Sequence, residues 1–155
     1  MRRVIVSILA LSLAGCDPVY GVSRSALLDT FPSLDCMRAA VVATPGVVNV
    51  QYRQEEGGTA LTLSGLKPEE PTHSFIYKGS ENSELSGALQ VHRDHRGTIS
   101  LVQTHLAMNT IPTQKSIDVV RPVMLHIEHD LAINCGLPEL PARVTEWCHG
   151  VQCGP

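Results

Sequence analysis

The chain has 155 residues, 43% hydrophobic and 17% charged, with a mean hydropathy of +0.06, a balance that fits one globular domain and excludes a disordered tail. Twelve basic against fifteen acidic residues give a formal charge of −3, which offers no field to a phosphate backbone, so nucleic acid is not an expected partner. Two Phe, three Tyr and one Trp leave little for a stacking platform and make the core aliphatic.

Met1-Arg2-Arg3 carries two positive charges, and Val4 to Ala14 is apolar apart from Ser7 and Ser12. At about 1.5 Å per residue this run spans roughly 16 Å, half of a hydrocarbon core of roughly 30 Å, so it reads as an export signal and not as a transmembrane helix. Leu13-Ala14-Gly15-Cys16 follows it and resembles the lipobox of bacterial lipoproteins, a likeness confined to residues 1–17. The resemblance implies that signal peptidase II recognises Leu13, Ala14 and Gly15 and cuts before Cys16. It also implies that the Cys16 thiol takes a diacylglyceryl group and that the new amino terminus is acylated, palmitate being the typical chain. Asp17 matches the signal that retains lipoproteins of enteric bacteria in the inner membrane, the outer membrane being the alternative. At about 0.8 kcal/mol per buried methylene, two or three acyl chains hold a protein durably to a bilayer. An ordinary secretory signal, with Cys16 in a disulfide, is the rival reading.

Without Cys16 four cysteines remain, Cys36, Cys135, Cys148 and Cys153, an even number as an oxidising compartment predicts. Of the three possible pairings we expect Cys148 with Cys153, closing a small loop through His149-Gly150, and Cys36 with Cys135, tying an early helix to the end of a late one. Cys148, His149 and Cys153 as zinc ligands are the alternative, but no second closely spaced ligand pair accompanies them.

Taken in order, Asp17 to Gly21 reads as a short tether. Leu27, Phe31, Leu34, the aliphatic stem of Arg38, and Val41 step by four and three, predicting one or two helices within 23–43 that Pro32 begins or kinks. Thr44-Pro45-Gly46 stops them, in a junction with Val47 that resembles the helix-to-strand turn of ferredoxin-like domains and implies α+β packing. Val48, Val50 and Tyr52 alternate with Asn49, Gln51 and Arg53, a strand with one wet side. Glu55-Glu56-Gly57-Gly58 signals a turn, Thr59 to Ser64 a return strand, and Lys67 to Pro71 a loop. Further strands are expected over His73–Lys78, Leu85–His92 and Thr98–Ala107, the last two joined by a tip at Asp94–Gly97. Pro112 opens a long helix whose apolar stripe is Ile117, Val120, Met124, Ile127 and Leu131, with a kink or restart near Arg121 caused by Pro122 and an end at Gly136. Pro138, Pro141 and two cysteines make 137–155 an irregular stapled tail, pinned by Trp147.

The expected fold class is α+β: an antiparallel meander of four to five strands, flanked in sequence by an N-terminal and a C-terminal helix packed on one face. The expected segments are a removed signal (1–15), a lipidated tether (16–22), the domain (23–136) and the tail (137–155). Without residues 1–15 the chain keeps ten basic and fifteen acidic residues, a charge of −5, and has no basic patch for anionic lipid.

Candidates for chemistry are few. His126, His129 and Asp130 have spacings that can share an ion, yet lie off the apolar stripe of the last helix and so face water. His92, Asp94 and His95 sit at the hairpin tip, and His105 falls on the strand face of Ile99 and Leu101, where one hydrogen bond would satisfy it. Ser64-Gly65-Leu66-Lys67 resembles the Ser-x-x-Lys of penicillin-binding proteins, but Gly65 and Pro68 oppose the helix that motif needs. Ser80-Glu81-Asn82 also departs from that family's Ser-Asp-Asn, and Lys-Thr-Gly is missing. Val119, Pro122, Val123 and Ile133 lie outside the apolar stripe, to be covered by the first helix or the tail, or to dock a partner. The sequence therefore points to a lipid-anchored envelope protein facing the periplasm, held to its membrane through Cys16. Its expected role is non-catalytic binding or assembly, with an envelope protein as partner and no cofactor. A metal- or ligand-binding lipoprotein and an envelope hydrolase are the alternatives.

Overall fold

The computed structural model describes residues 19–56, 71–94, 96–108 and 110–151, and every strand among these described residues has an antiparallel neighbour. The elements are β1 (Val19–Leu28), α1 (Leu34–Ala43), β2 (Asn49–Glu55), β3 (Thr72–Lys78), β4 (Ser86–Arg93), β5 (Ile99–Met108), α2 (Gln114–Asn134), α3 (Leu140–Arg143) and β6 (Thr145–His149). The six strands form one sheet in the order β2-β3-β4-β5-β1-β6. The fold is thus α+β with an antiparallel sheet and its helices on one face, as the sequence predicts, but with both chain ends contributing strands.

The meander β2 to β5 follows the hairpin logic of the sequence. β3, β4 and β5 fall within a residue of their expected limits. At the β4–β5 tip Asp94 Oδ1 accepts from the Arg96 and Thr98 amides at 2.8 and 2.9 Å, and Gly97 takes φ +80°. The expected return strand Thr59–Ser64 and the loop Lys67–Pro71, except Pro71, lie outside the described residues. Among the described strands β2 lies at one edge of the sheet. Only Val50 of its expected inward row is partly buried, while Tyr52 is 45% exposed and Val48 precedes the strand at 67%.

The first correction concerns residues 19–28. Helical spacing through Leu27 predicts a helix, and the tether is expected to include Val19 to Val22, but the whole segment is β1, paired along its length with β5. Alternation puts Val22, Arg24, Ala26 and Leu28 on the helix side and leaves Leu27 61% exposed on the other. Gly21 is required within this ladder: it has φ +131°, and a Cβ there would overlap the His105 carbonyl. Pro32 neither begins nor kinks a helix. It precedes the N-cap Ser33, whose Oγ accepts from the Cys36 amide at 3.4 Å. At the other end Thr44 donates through Oγ1 to the Ala40 carbonyl at 2.8 Å, and Gly46 (φ +87°) turns the chain into β2.

α2 carries the stripe that its sequence announces: Ile117, Val120, Met124, Ile127 and Leu131 are each at most 1% exposed. Each such side chain contributes roughly 1.5–3 kcal/mol by leaving water. Thr113 caps the helix, its Oγ1 accepting from the Ser116 amide at 3.1 Å. Of the kink or restart expected near Arg121, a restart does not occur: α2 runs continuously through Pro122. Pro122 is exposed, so the carbonyl it leaves unbonded, on the likewise exposed Asp118, can turn to water. Against the stripe pack Phe75, Tyr77, Leu89, Val91 and Leu101 from the sheet, with Met37 and Val41 from α1. The Tyr77 ring lies across Gly87, where a Cβ would overlap it.

The second correction concerns the tail. Leu137 and Leu140 are buried, Pro141 sits in the first turn of α3, and β6 pairs with β1 from Gly21↔His149 to Ser25↔Thr145. A strand ladder holds the tail in place. Trp147 does not pin it, being 59% exposed.

Candidate functional site

Among the described residues the most highly organised polar group lies where β1, β6 and α2 meet. Arg24 of β1 stands directly opposite Glu146 of β6, both on the helix side of the sheet, beneath Glu128 of α2. Arg24 Nε and Nη2 donate to the two oxygens of Glu128 at 2.7 and 2.9 Å, the fork geometry that suits a guanidinium to a carboxylate. Its Nη1 donates to Glu146, which also accepts from Arg121 of α2 on its other oxygen. Gln103 of β5, 1% exposed, donates to Glu128 and to the Met124 carbonyl, both at 2.9 Å. Two guanidinium groups and two carboxylates sum to zero, and Glu128 is itself only 4% exposed.

Such an arrangement fastens; it does not react. Arg24 is committed through three nitrogens and Glu128 through both oxygens, so neither is available to a substrate. Burial pushes the Glu146 carboxyl up, but hydrogen bonds from Arg121 and Arg24 outweigh it and hold the group below the usual carboxylate range. Burial, and then the charge of Glu128, push the Tyr77 phenol well above its ordinary value. Burial also lowers the His92 imidazole, against a smaller opposing pull from Asp94. Both lowered groups act in the same direction. A depressed His92 favours the fold above the usual imidazole range, and a depressed Glu146 favours it above the usual carboxylate range; each contribution is lost as pH falls through the folded value. The urea midpoint is therefore expected to drop in two stages on acidification, first near the imidazole range and then below the carboxylate range.

The residues singled out in the sequence are dispersed. Leu13, Ala14, Gly15, Cys16 and Asp17 lie outside the described residues, as do Ser64, Lys67, His95 and Cys153. Cys36 and Cys135 form a disulfide with their Cα atoms 5.7 Å apart, joining α1 to the end of α2. Cys148 is also disulfide-bonded. On α2, His126 Nε2 lies 3.5 Å from Asp130 Oδ2, and His129 is exposed. Among the described residues no three His, Cys, Asp or Glu side chains converge on a point that could hold a metal. His105 is bonded on both nitrogens, to the Ser86 carbonyl at 2.7 Å and to Ser116 Oγ at 3.3 Å. His149 Nε2 lies 3.0 Å from Ser23 Oγ. Of the extra apolar positions on α2, Val119 and Val123 pack partly against the core, whereas Pro122 is exposed and Ile133 is 65% exposed. Ser80, Glu81 and Asn82 occupy an exposed turn.

A shallow depression of about 250 Å³ lies between the end of β1 and α3. Its one cation, Arg143, is engaged by Asp29 at 2.8 Å and Glu139 at 2.7 Å. The remaining surface of note is the side of the sheet away from the helices. There the described parts of β5 (100–106), β1 and β6 present no Asp, Glu, Lys or Arg, since Arg24 and Glu146 both point the other way. Leu106, Val19, Leu27 and Trp147 are 40 to 61% exposed on it, with Gly21 and Ser23 between.

Comparison with protein-family models, with curated proteins and with solved structures finds no match for the chain.

Two signals for these features are present in the sequence. Glu128 falls four residues after Met124 and three before Leu131, so a carboxylate occupies the apolar stripe itself and needs a cation from elsewhere in the chain. The uncharged run Ser100–Leu106 is the other, in a strand whose outward positions would ordinarily carry charge.

Proposed function

We propose that this chain is a lipid-anchored protein of the bacterial envelope, facing the periplasm, with a non-catalytic binding or assembly role. The observation that carries the reading is Leu13-Ala14-Gly15-Cys16 placed after a charged start and a short apolar run. Two features of the fold support it. The Cys36–Cys135 disulfide suits an oxidising compartment, and in the polar cluster Arg24, Glu128 and Glu146 are engaged by one another and by Arg121 and Gln103. Among the described residues no helix is long and apolar enough to cross a membrane, so attachment would rest on the lipid.

The test is the intact mass of the mature protein extracted from its native membrane, together with crosslinking there and identification of what is joined to it. A chain beginning at acylated Cys16 and reproducibly crosslinked to one envelope protein is the expected result. An unmodified Cys16 would remove the anchor. Crosslinking to nothing would remove the assembly role.

A further inference from the structure

We infer that the uncharged face of β5, β1 and β6 lies against the lipid surface to which the chain is anchored; this rests on the proposed lipidation of Cys16. Val19 opens β1 only three residues after Cys16, a span of at most about 10 Å. The domain therefore has no free linker, and the N-terminal end of β1 must sit at the headgroups. The apolar side chains left exposed around that end share one face. Val19 is 41% exposed; Leu106 flanks Gly21 on one side and is 40% exposed; Trp147 flanks Ser23 on the other and is 59% exposed. Ile111, 60% exposed, follows β5 close to the same end.

Between them lie Gly21, Ser23, Thr104 and His149, whose Nε2 sits 3.0 Å from Ser23 Oγ, so a flat surface can approach without meeting an Asp, Glu, Lys or Arg. An indole with one polar edge suits the level of the headgroups. Because the face carries no Lys or Arg, the contact is apolar and does not depend on anionic lipid or on salt. A protein partner or a second copy is the competing occupant. The distance to Cys16 favours the bilayer, which is already within reach.

Trp147 is the only tryptophan of the chain, so its fluorescence reports this face alone. The lipidated protein is reconstituted into phosphatidylcholine vesicles, with and without bromine on the acyl chains, and its mass is taken from the same sample. The expected result is acylated Cys16, blue-shifted emission, quenching by the brominated lipid and protection from acrylamide. Leu106→Glu should weaken the bromolipid quenching and restore acrylamide access. Acylated Cys16 with Trp147 open to acrylamide and untouched by bromolipid would overturn the inference while leaving the anchor standing. Protection from acrylamide without bromolipid quenching would assign the face to a protein surface, and also overturn it. An unmodified Cys16 would remove the anchor and this inference together.

Discussion

Replacing Arg24 by alanine is expected to cost about 3–5 kcal/mol, because it leaves Glu128 buried without its cation. Glu128 is 4% exposed, and its other side-chain donor in the cluster is the neutral amide of Gln103. Desolvation that the guanidinium offsets in the native protein would then fall on the fold. Arg121 cannot substitute, because it is directed at Glu146 from the other side. Equilibrium urea unfolding measures the loss. The double change Arg24→Met with Glu128→Leu separates the pair's own strength from the damage of breaking it. Removing both charges leaves Arg121 with Glu146 and should recover most of the stability, since buried ion pairs are often matched by apolar residues of similar volume. A loss below about 1 kcal/mol in the single variant, the range of an exposed pair, would mean that the cluster does not fasten helix to sheet.

The second large effect belongs to the Cys36–Cys135 disulfide. It joins residues 99 apart, and a loop of that length is worth about 4–5 kcal/mol in the chain-entropy account. Cys36→Ala with Cys135→Ala should lower the unfolding midpoint by the corresponding amount under oxidising conditions. Reductant should bring the native protein toward the same value. A double variant as stable as the native chain would show that the packing of α1 against α2 suffices without the bond.

What could be read from the sequence followed from how much each element depends on its own neighbours. α2 was legible because its buried face is written within the helix, five apolar positions on one stripe. The hairpins β3 to β5 were legible because alternation and turn residues lie side by side in the chain. β1 was not, because its inward row contains Arg24, whose partners are 104 and 122 residues away. The apolar residues that remained, Leu27, Phe31 and Leu34, fell by chance into a helical spacing that crosses a strand, a connection and a helix. β6 is a still clearer case. Its inward residues are Glu146 and Cys148 while its largest apolar side chain, Trp147, points outward, and Arg24 and Arg121 make the inward carboxylate tolerable. The ion cluster and both missed strands are therefore one fact about the molecule. The charge-free face was equally hidden until the register of β1 was known.

The sheet order also sets a timetable for folding. β1 is synthesised before the other described strands, yet its neighbours are β5, 71 to 89 residues later in sequence by register, and β6, later still. Closing so long a loop must precede any stabilising contact for β1, which makes its docking a late event. On this ordering the proposed lipid would be attached to an unfolded N-terminus, and the domain would then fold already tethered.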